Sequence, residues 1–332
     1  MTVQQKVPDV SGLRAERVVV VSLMKSGTHL VQELMLALGY RIYGQSRIPQ
    51  EIRPVLDEGT RDRIVRMVHG DQTADALREQ GEEAFRAGSD QAWEALGWAW
   101  QQRLGMPLVN RYGARLTQTE LVEQAFRRTA GTPFSATPGN TCWIIPELDI
   151  KKLDGKFVEE WAQTGEPRIL FMYRDPRDMV LSMVNFLLGK TVQGFGNFSE
   201  FQVFHSILKS KGSLEERLLY ALSDPAFPGS GDHERMLWLL NHPNVCSLSF
   251  EEMVGPQGGG SAEAQLDVVR RVIEFVGADA DPEKTADGIF RRDSFSFFKG
   301  QIGSWREAFT PRVERLAHER LAKSLELYGY SA

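Results

Sequence analysis

Five consecutive residues near the start of the sequence, Lys25-Ser26-Gly27-Thr28-His29, combine groups that bind a phosphate or a sulfate. Lys25 brings a full positive charge, Ser26 and Thr28 bring hydroxyl donors, and Gly27 lets the backbone approach an oxyanion closely. A helical pattern begins at Thr28, so the free backbone N–H groups of its first turn favour negative charge at the same place. The segment therefore predicts an anion site.

This segment differs from the phosphate loop of nucleoside triphosphatases. That loop has the pattern G-x-x-x-x-G-K-[ST], in which a glycine precedes the lysine. Here Lys25 comes before Ser-Gly-Thr, and no glycine precedes it in the loop. An ordinary strand-to-helix turn with an exposed lysine is the alternative interpretation. The buried strand predicted just ahead of the loop favours the anion site.

A second candidate anion site lies at Tyr173-Arg174-Asp175-Pro176-Arg177-Asp178, directly after another apolar run. An arginine at a strand end can hold a phosphate with two parallel hydrogen bonds. Ser182 follows Arg174 by eight residues, about two helical turns, which places its hydroxyl along the same opening. A surface ion-pair network that caps a helix explains the four charges equally well, and this alternative stays open.

A third candidate segment begins at Lys299-Gly300 and continues through Gly303 and Trp305 to Phe309. A basic residue beside a glycine in a long loop can close over an anion. The aromatic side chains are expected to pack beneath the loop and anchor it.

The three segments need elements that bring them together, and the hydrophobic pattern predicts such elements. Residues 17–23 and 168–173 are continuous apolar runs, typical of strands that are buried on both faces, and 244–250 is a third strand candidate. Residues 45–130 have a mostly helical pattern, and a last helix is expected to begin at Pro311 with Thr310 as its N-cap. Strands that alternate with helices predict a three-layer α/β fold with a central, mainly parallel sheet.

The composition is ordinary for a globular protein, with 42% hydrophobic and 25% charged residues. A net charge of −5, from 39 basic and 44 acidic residues, argues against a general nucleic-acid surface. Two cysteines are too few for a disulfide framework and indicate a reducing compartment. No stretch approaches the roughly 20 apolar residues of a membrane span, and residues 1–16 lack the apolar centre of a signal peptide. We expect a cytoplasmic protein that binds neither membrane nor nucleic acid.

Taken in order, the motifs resemble those of one family, the sulfotransferases that use 3′-phosphoadenosine 5′-phosphosulfate (PAPS). Lys25–Thr28 is similar to the family's 5′-phosphosulfate loop, and Arg174 with Ser182 is similar to its 3′-phosphate site. The segment from Lys299 to Thr310 resembles its C-terminal loop. Ser249-Phe250-Glu251-Glu252-Met253 resembles its strand-ending Tyr-Glu-Asp segment. These matches run from about residue 17 to residue 310.

The resemblance implies a single sulfotransferase domain over 1–332, with a phosphosulfate loop unit at 17–40. Residues 41–145 would form a mostly helical acceptor side, and 168–330 would carry the 3′-phosphate site and the C-terminal loop. The implied reaction moves a sulfuryl group from PAPS to a hydroxyl of a small-molecule acceptor, an aromatic compound or a natural product being the expected class. The product nucleotide is 3′-phosphoadenosine 5′-phosphate (PAP), and no metal is expected.

The resemblance also implies roles for individual residues. Lys25 is expected to be catalytic, because it would stabilise the charge that develops on the bridging oxygen. The cofactor-binding residues implied in this way are Lys25, Ser26, Gly27, Thr28, His29, Arg174, Ser182, Lys299 and Gly300.

Three positions depart from the family pattern. The tryptophan that stacks on adenine is replaced by Leu30, and the arginine before the Lys-Gly pair is replaced by Phe298. The region 133–146, where the family's catalytic histidine is expected, contains no histidine. His69 follows an apolar run and precedes a glycine, so it is the predicted general base. Glu33 and Glu147 are the carboxylate alternatives.

Two other functions stay open at this stage. A P-loop kinase of small molecules needs a glycine ahead of Lys25 and a magnesium-binding carboxylate after a strand, a role for which only Asp175 is available. A nucleotide-binding protein with a decayed active site is the second alternative. The missing histidine favours that alternative, and the presence of Lys25, Arg174 and Ser182 opposes it.

Overall fold

The computed structural model describes residues 14–43, 56–105, 119–146, 148–189, 199–290 and 300–331. One sheet is built from β1 (Arg17–Ser22), β2 (Arg41–Tyr43), β3 (Thr141–Ile145), β4 (Arg168–Tyr173) and β5 (Val245–Ser249). The spatial order is β2-β3-β1-β4-β5, and every neighbouring pair is parallel.

Helices connect and cover these strands. In chain order, the helices of the described ranges are α1 (Thr28–Ala37), α2 (Glu58–His69), α3 (Asp71–Glu79), α4 (Glu82–Arg103), α5 (Thr119–Arg128), α6 (Gly155–Thr164), α7 (Pro176–Leu187), α8 (Ser199–Lys209), α9 (Leu214–Ser223), α10 (Asp232–Asn241), α11 (Phe250–Met253), α12 (Ala262–Val276), α13 (Pro282–Gly288), α14 (Trp305–Ala308) and α15 (Pro311–Leu327).

Apolar side chains cover both faces of the sheet. In β1, Val18 and Val20 pack into a core with α1, α12 and α13. Val19 and Val21 point the other way, into a core with α2, α4, α5, α6 and α10. Because successive strand residues face opposite sides, a strand buried on both faces reads as an unbroken apolar run. The predicted three-layer α/β fold with a parallel sheet is therefore confirmed.

The predicted elements around the motifs are also observed, with ends that differ by one residue at β1, β5 and α1. Thr310 caps α15 by accepting a hydrogen bond from the Val313 N–H, and Pro311 is the first helical residue. Two strands were not anticipated. Thr141–Ile145 forms β3 between β1 and β2, and Arg41–Tyr43 forms the edge strand β2. These runs are short, and their strand character comes from their pairing with neighbours.

The sheet order creates a crevice at the carboxyl ends of β1 and β4. From β1 the chain passes through α1 to β2, beyond β3, whereas from β4 it passes toward β5 on the opposite side. Adjacent strands whose connections leave in opposite directions form a topological switch point, where ligands of open α/β sheets bind. Both predicted anion segments follow these two strands.

Candidate active site

The loop between β1 and α1 is held in place by its own hydroxyl groups. Ser26 is fully buried. Its N–H donates to the Leu23 carbonyl at 3.0 Å, and its hydroxyl lies 2.7 Å from the same carbonyl and 3.1 Å from that of Met172. The Thr28 hydroxyl pairs with that of Ser22 at 2.8 Å. Ser26 therefore fastens the loop to β1 and β4, and in this structure its hydroxyl is engaged within the protein.

Gly27 is required by both backbone conformation and space. Its φ is +104°, in the left-handed region that favours glycine, and a Cβ there would lie 2.8 Å from Phe250 Cδ2 and 3.0 Å from Met172 Cε. No side chain caps the N-terminus of α1, and the first turn of α1 carries no acidic residue. This end of α1 therefore carries no side chain whose negative charge would repel a bound anion.

Two basic side chains in this loop are influenced by each other and by burial. Burial lowers the pKa of Lys25 to about 8, and the positive charge of Arg174 adds to the effect. The Lys25 ammonium lies 4.4 Å from the centre of the Phe186 ring. Burial also lowers the pKa of His29 to about 4, with the charge of Lys25 as the second cause. The His29 imidazole is consequently neutral at pH 7, while most of the Lys25 population carries its proton.

Arg174, in the second candidate segment, contacts both the Lys25–His29 loop and the segment that follows Gly300. It is 7% exposed. One guanidinium nitrogen donates to the Gln301 carbonyl at 2.7 Å and lies 3.3 Å from the Asp178 carboxylate. The other terminal nitrogen lies 3.5 Å from the Lys25 carbonyl. The structure thus brings Lys25, Arg174 and the segment after Gly300 to one place.

Asp178 holds the third segment against the first turn of α7. Its buried carboxylate accepts the N–H of Gly303 at 2.7 Å and the N–H of Trp305 at 3.0 Å. Ser182 lies one helical turn further along the same face of α7 and is half-buried. In the sequence, Asp178 stands out only as part of the Tyr173–Asp178 motif. Its spacing of four residues from both Arg174 and Ser182 is the signal that assigns it to this site.

The four charges at 174–178 separate into two pairs with different roles. Asp175 caps α7 by accepting the Arg177 N–H, and the two side chains form an ion pair at 2.8 Å. The helix-capping interpretation therefore holds for Asp175 and Arg177, although both are buried rather than on the surface. Arg174 and Asp178 form the pair that faces the other two segments.

The loop that contains Gly300 rests on a short turn, Pro256–Gly258. Gly300 has a φ of 59° and is half-buried, and the Ile302 N–H donates to the Gly258 carbonyl at 3.0 Å. Lys299, Phe298 and Glu147 lie outside the described residues.

With this geometry in view, the chain can be compared with solved structures. It aligns with mouse sulfotransferase SULT7A1 complexed with PAP at 15% identity, over 97% of this chain and 91% of that one, with a TM-score of 0.49. It aligns with retinol dehydratase in complex with androsterone and inactive cofactor PAP at 15% identity, over 95% and 82%, with a TM-score of 0.44. Retinol dehydratase with retinol and PAP gives 14% identity, coverage of 95% and 82%, and a TM-score of 0.38.

No family model and no curated protein matches the chain. Identities of 14–15% and TM-scores of 0.38–0.49 carry no substrate or residue role over to it. Its chemistry has to follow from its own side chains.

His69, the predicted base, is the last residue of α2 and lies where α2 contacts α5. Gln124 of α5 donates to the Val68 carbonyl, and the Arg128 guanidinium adjoins Gly70. Burial lowers the pKa of His69, and the charge of Arg128 adds to this, so its ring is in the neutral form that accepts a proton. Among the described residues its Nε2 is buried without a hydrogen-bond partner. Its role as the base stays a prediction.

The described ranges lack both a membrane-spanning helix and a cluster of metal ligands. None of the helices there combines the length and apolar composition that a membrane span requires. The same ranges hold no cluster of three or more His, Cys, Asp or Glu side chains suited to a metal ion.

Proposed function

We propose that the protein is a sulfotransferase that moves a sulfuryl group from PAPS to the hydroxyl of a small-molecule acceptor. The observation that supports this most directly is the proximity of two cations, Lys25 and Arg174, at the carboxyl ends of β1 and β4. Arg174 is already paired with Asp178, whereas the Lys25 ammonium packs on the Phe186 ring, so a bound anion would offset the repulsion between the two cations. A nucleotide with a 5′-phosphosulfate and a 3′-phosphate offers one anionic group to each cation.

The binding roles follow from the two strand ends. Lys25 and the backbone N–H groups at Thr28 and His29 would hold the 5′-phosphosulfate, with Gly27 allowing the close approach and Ser26 fixing the loop. Arg174 and Ser182 would hold the 3′-phosphate, together with Lys299 and Gly300. Leu30, at 8% exposure, is too enclosed to offer a broad stacking surface, so adenine is expected to rest on other apolar side chains.

Bound PAPS would supply the sulfuryl group, and the electron pair of the broken S–O bond would stay on the nucleotide's 5′-phosphate. Lys25 would lie beside the oxygen on which this negative charge grows, and its ammonium would stabilise the charge most in the transition state. As in phosphoryl transfer, the remaining contribution is positioning of the two reactants. The transferred group carries less charge than a phosphoryl group, so we expect transfer without a metal.

The acceptor hydroxyl must lose its proton as it attacks. We propose His69 as the general base, because its ring is neutral and its Nε2 is unpartnered among the described residues. Glu33, half-buried in α1, and Glu147 are the carboxylate alternatives. A phenol, with a pKa near 10, would need less help from a base than an alkyl alcohol.

Several large aromatic residues that could have lined a pocket for an aromatic acceptor are instead packed in the cores. Trp93, Trp98 and Trp100 of α4 are at most 4% exposed and belong to the core beneath the sheet. Phe186 and Phe201 pack against each other in the core of α7 and α8. We therefore propose a hydroxyl acceptor and assign no aromatic side chain to it.

Calorimetry with PAP and AMP tests the proposal, because the two nucleotides differ in the 3′-phosphate. Each charge-assisted contact contributes about 1.5–3 kcal/mol, so PAP should bind at least about tenfold more tightly than AMP. Equal affinities for PAP and AMP would contradict the proposed 3′-phosphate site. Transfer from labelled PAPS in excess chelator would support the sulfotransferase. A metal-dependent kinase would instead transfer phosphate from ATP and only without chelator, and a decayed nucleotide-binding protein would transfer neither group.

A further inference from the structure

Two tyrosines that follow α15 reach back to the carboxyl edge of the sheet. The Tyr328 hydroxyl donates to the His233 carbonyl at 2.7 Å, and the Tyr330 hydroxyl donates to Glu251 Oε2 at 2.8 Å. Gly329 between them has a φ of +75°, a conformation that favours glycine and turns both rings toward the same edge. Tyr328 is 7% exposed and packs edge-on against the His233 ring at 4.9 Å.

The partners of these tyrosines hold a single peptide group. His233 Nε2 lies 2.9 Å from the Arg174 carbonyl, so this ring nitrogen carries the proton and donates it. Glu251 Oε1 accepts the Asp175 N–H at 3.1 Å. The carbonyl of Arg174 and the N–H of Asp175 belong to one planar peptide unit. That unit is therefore fixed at both ends, by a histidine and a carboxylate that the two tyrosines hold in turn.

We infer that Tyr328 and Tyr330 are positioning residues, which set the guanidinium of Arg174 for a 3′-phosphate by fixing the peptide group that follows it. The inference rests on the proposed function. An arginine forms two parallel bonds to a phosphate only within a narrow range of positions, so its backbone has to be held to about 0.5 Å. Asp178 and Gln301 hold the tip of the Arg174 side chain, and the tyrosine network holds its base.

The Glu251 carboxylate suits this task because it is half-buried and each of its two oxygens accepts one of these hydrogen bonds. Burial raises its pKa, while the Asp175 N–H and the Tyr330 hydroxyl oppose that rise by stabilising the charged form. Burial and Glu251 in turn raise the pKa of Tyr330, so its hydroxyl keeps its proton and remains a donor. Tyr330→Phe removes this one donor and retains the ring.

Tyr330→Phe and Tyr328→Phe/Tyr330→Phe are the test variants, and Tyr220→Phe is the matched control. Tyr220 also donates its hydroxyl to a carboxylate, that of Asp224, in a separate helix. We expect PAP affinity to fall about tenfold in Tyr330→Phe and further in the double variant, while AMP affinity stays within twofold of wild type. Tyr220→Phe should change neither affinity. Equal losses for PAP and AMP, or no loss, would overturn the inference.

A second readout does not depend on the nucleotide. If Tyr330 holds Glu251 on the Asp175 N–H, hydrogen exchange of the Asp175 amide should be at least tenfold faster in Tyr330→Phe, with exchange in β1 unchanged. Unchanged exchange at Asp175 would contradict the network whatever the protein binds. Wild-type protein that fails to prefer PAP to AMP would instead count against the proposed function alone, since the exchange measurement then still decides the role of the tyrosines.

Discussion

The charged residues at the carboxyl edge of the sheet differ in burial and in the sequence separation of their partners from Arg66 and its partners on the helical side formed by α2 and α3. At the edge, Arg174 and Asp178 are almost fully enclosed and bind segments that are more than 100 residues apart in sequence. On the helical side, Arg66 contacts Asp62, Asp71 and Asp75, all within ten residues of it and all partly open to solvent. Enclosing charge is costly, and enclosed charges are common at functional sites, which agrees with the nucleotide site proposed at this edge.

The same contrast separates the nucleotide side from the acceptor side of the proposed reaction. Lys25, Arg174 and the N-terminus of α1 lie together on the proposed nucleotide side. On the acceptor side the predicted base, His69, is the last residue of α2 and lies close to Arg128. Sequence motifs therefore locate the nucleotide better than they locate the acceptor, because a phosphate site needs particular residue types and an acceptor pocket needs mainly shape.

The largest effect is expected from Lys25→Ala. Turnover should fall on the order of 10²-fold or more, because a charge that acts on the developing negative oxygen contributes mainly in the transition state. PAP affinity should fall by a smaller factor, since Arg174 and the α1 N-terminus remain. Initial rates with saturating PAPS and calorimetry with PAP provide the two numbers, with the exposed Lys152→Ala as control. A Lys25 that only binds would lower the PAP affinity and leave the rate at saturating PAPS unchanged.

His69→Ala tests the proposed general base on the acceptor side. We expect turnover to fall at least about 10²-fold with an alkyl alcohol acceptor and by less with a phenol, because the more acidic hydroxyl needs less help from a base. The exposed His318→Ala serves as control. Wild-type turnover of His69→Ala on both acceptors would remove His69 from the mechanism, and Glu33, Glu147 and His29 would then be changed in turn.

The affinity for PAP should depend on pH above about 8. The pKa of Lys25 in the free protein is lowered to about 8, so the ammonium that attracts the anion is present below that pH and is lost above it. Bound phosphate favours the charged form, so affinity should fall about tenfold for each pH unit above 8 and stay level with respect to Lys25 between pH 7 and 8. Calorimetry from pH 7 to 9.5 measures this. A level profile across that range, or the same fall in Lys25→Met, would contradict the assignment.

Gly27→Ala should lower the free energy of unfolding by about 1–3 kcal/mol, because the new Cβ combines an unfavourable φ with crowding against Phe250. Gly81→Ala is a matched control, since Gly81 has a φ of +106° and nothing within 4 Å of a Cβ. Urea denaturation of both variants separates the two causes. Equal losses would mean that backbone strain alone accounts for the effect and that the close approach to Phe250 adds nothing.

The smallest effect is expected from Arg66→Ala on the helical side. Its ion pairs are solvent-screened, and such pairs contribute little to stability. PAP affinity and turnover should equal those of wild type, and the melting temperature should change less than in Gly27→Ala. A loss of PAP affinity in this variant would remove the contrast between the two regions.

Local sequence determined the elements that carry the motifs. The apolar runs that became β1, β4 and β5 were recognisable because parallel strands buried on both faces need no polar residues. The α15 N-terminus was readable from Thr310 and Pro311, since a cap depends on residues within one turn. Gly27 was singled out for its place in the loop, and the left-handed φ agrees with that interpretation.

Pairing between distant segments was decided only by the tertiary structure. Nothing in the residues of β1 specifies β4 as its neighbour, yet this pairing puts Lys25 beside Arg174. The five residues of β3 became a strand because β1 and β2 flank them. In the sequence Asp178 is one member of a run of charges. In the structure its carboxylate accepts the N–H groups of Gly303 and Trp305, because the third segment packs against α7. Such contacts depend on which surfaces the whole chain can bury together, which a local pattern does not encode.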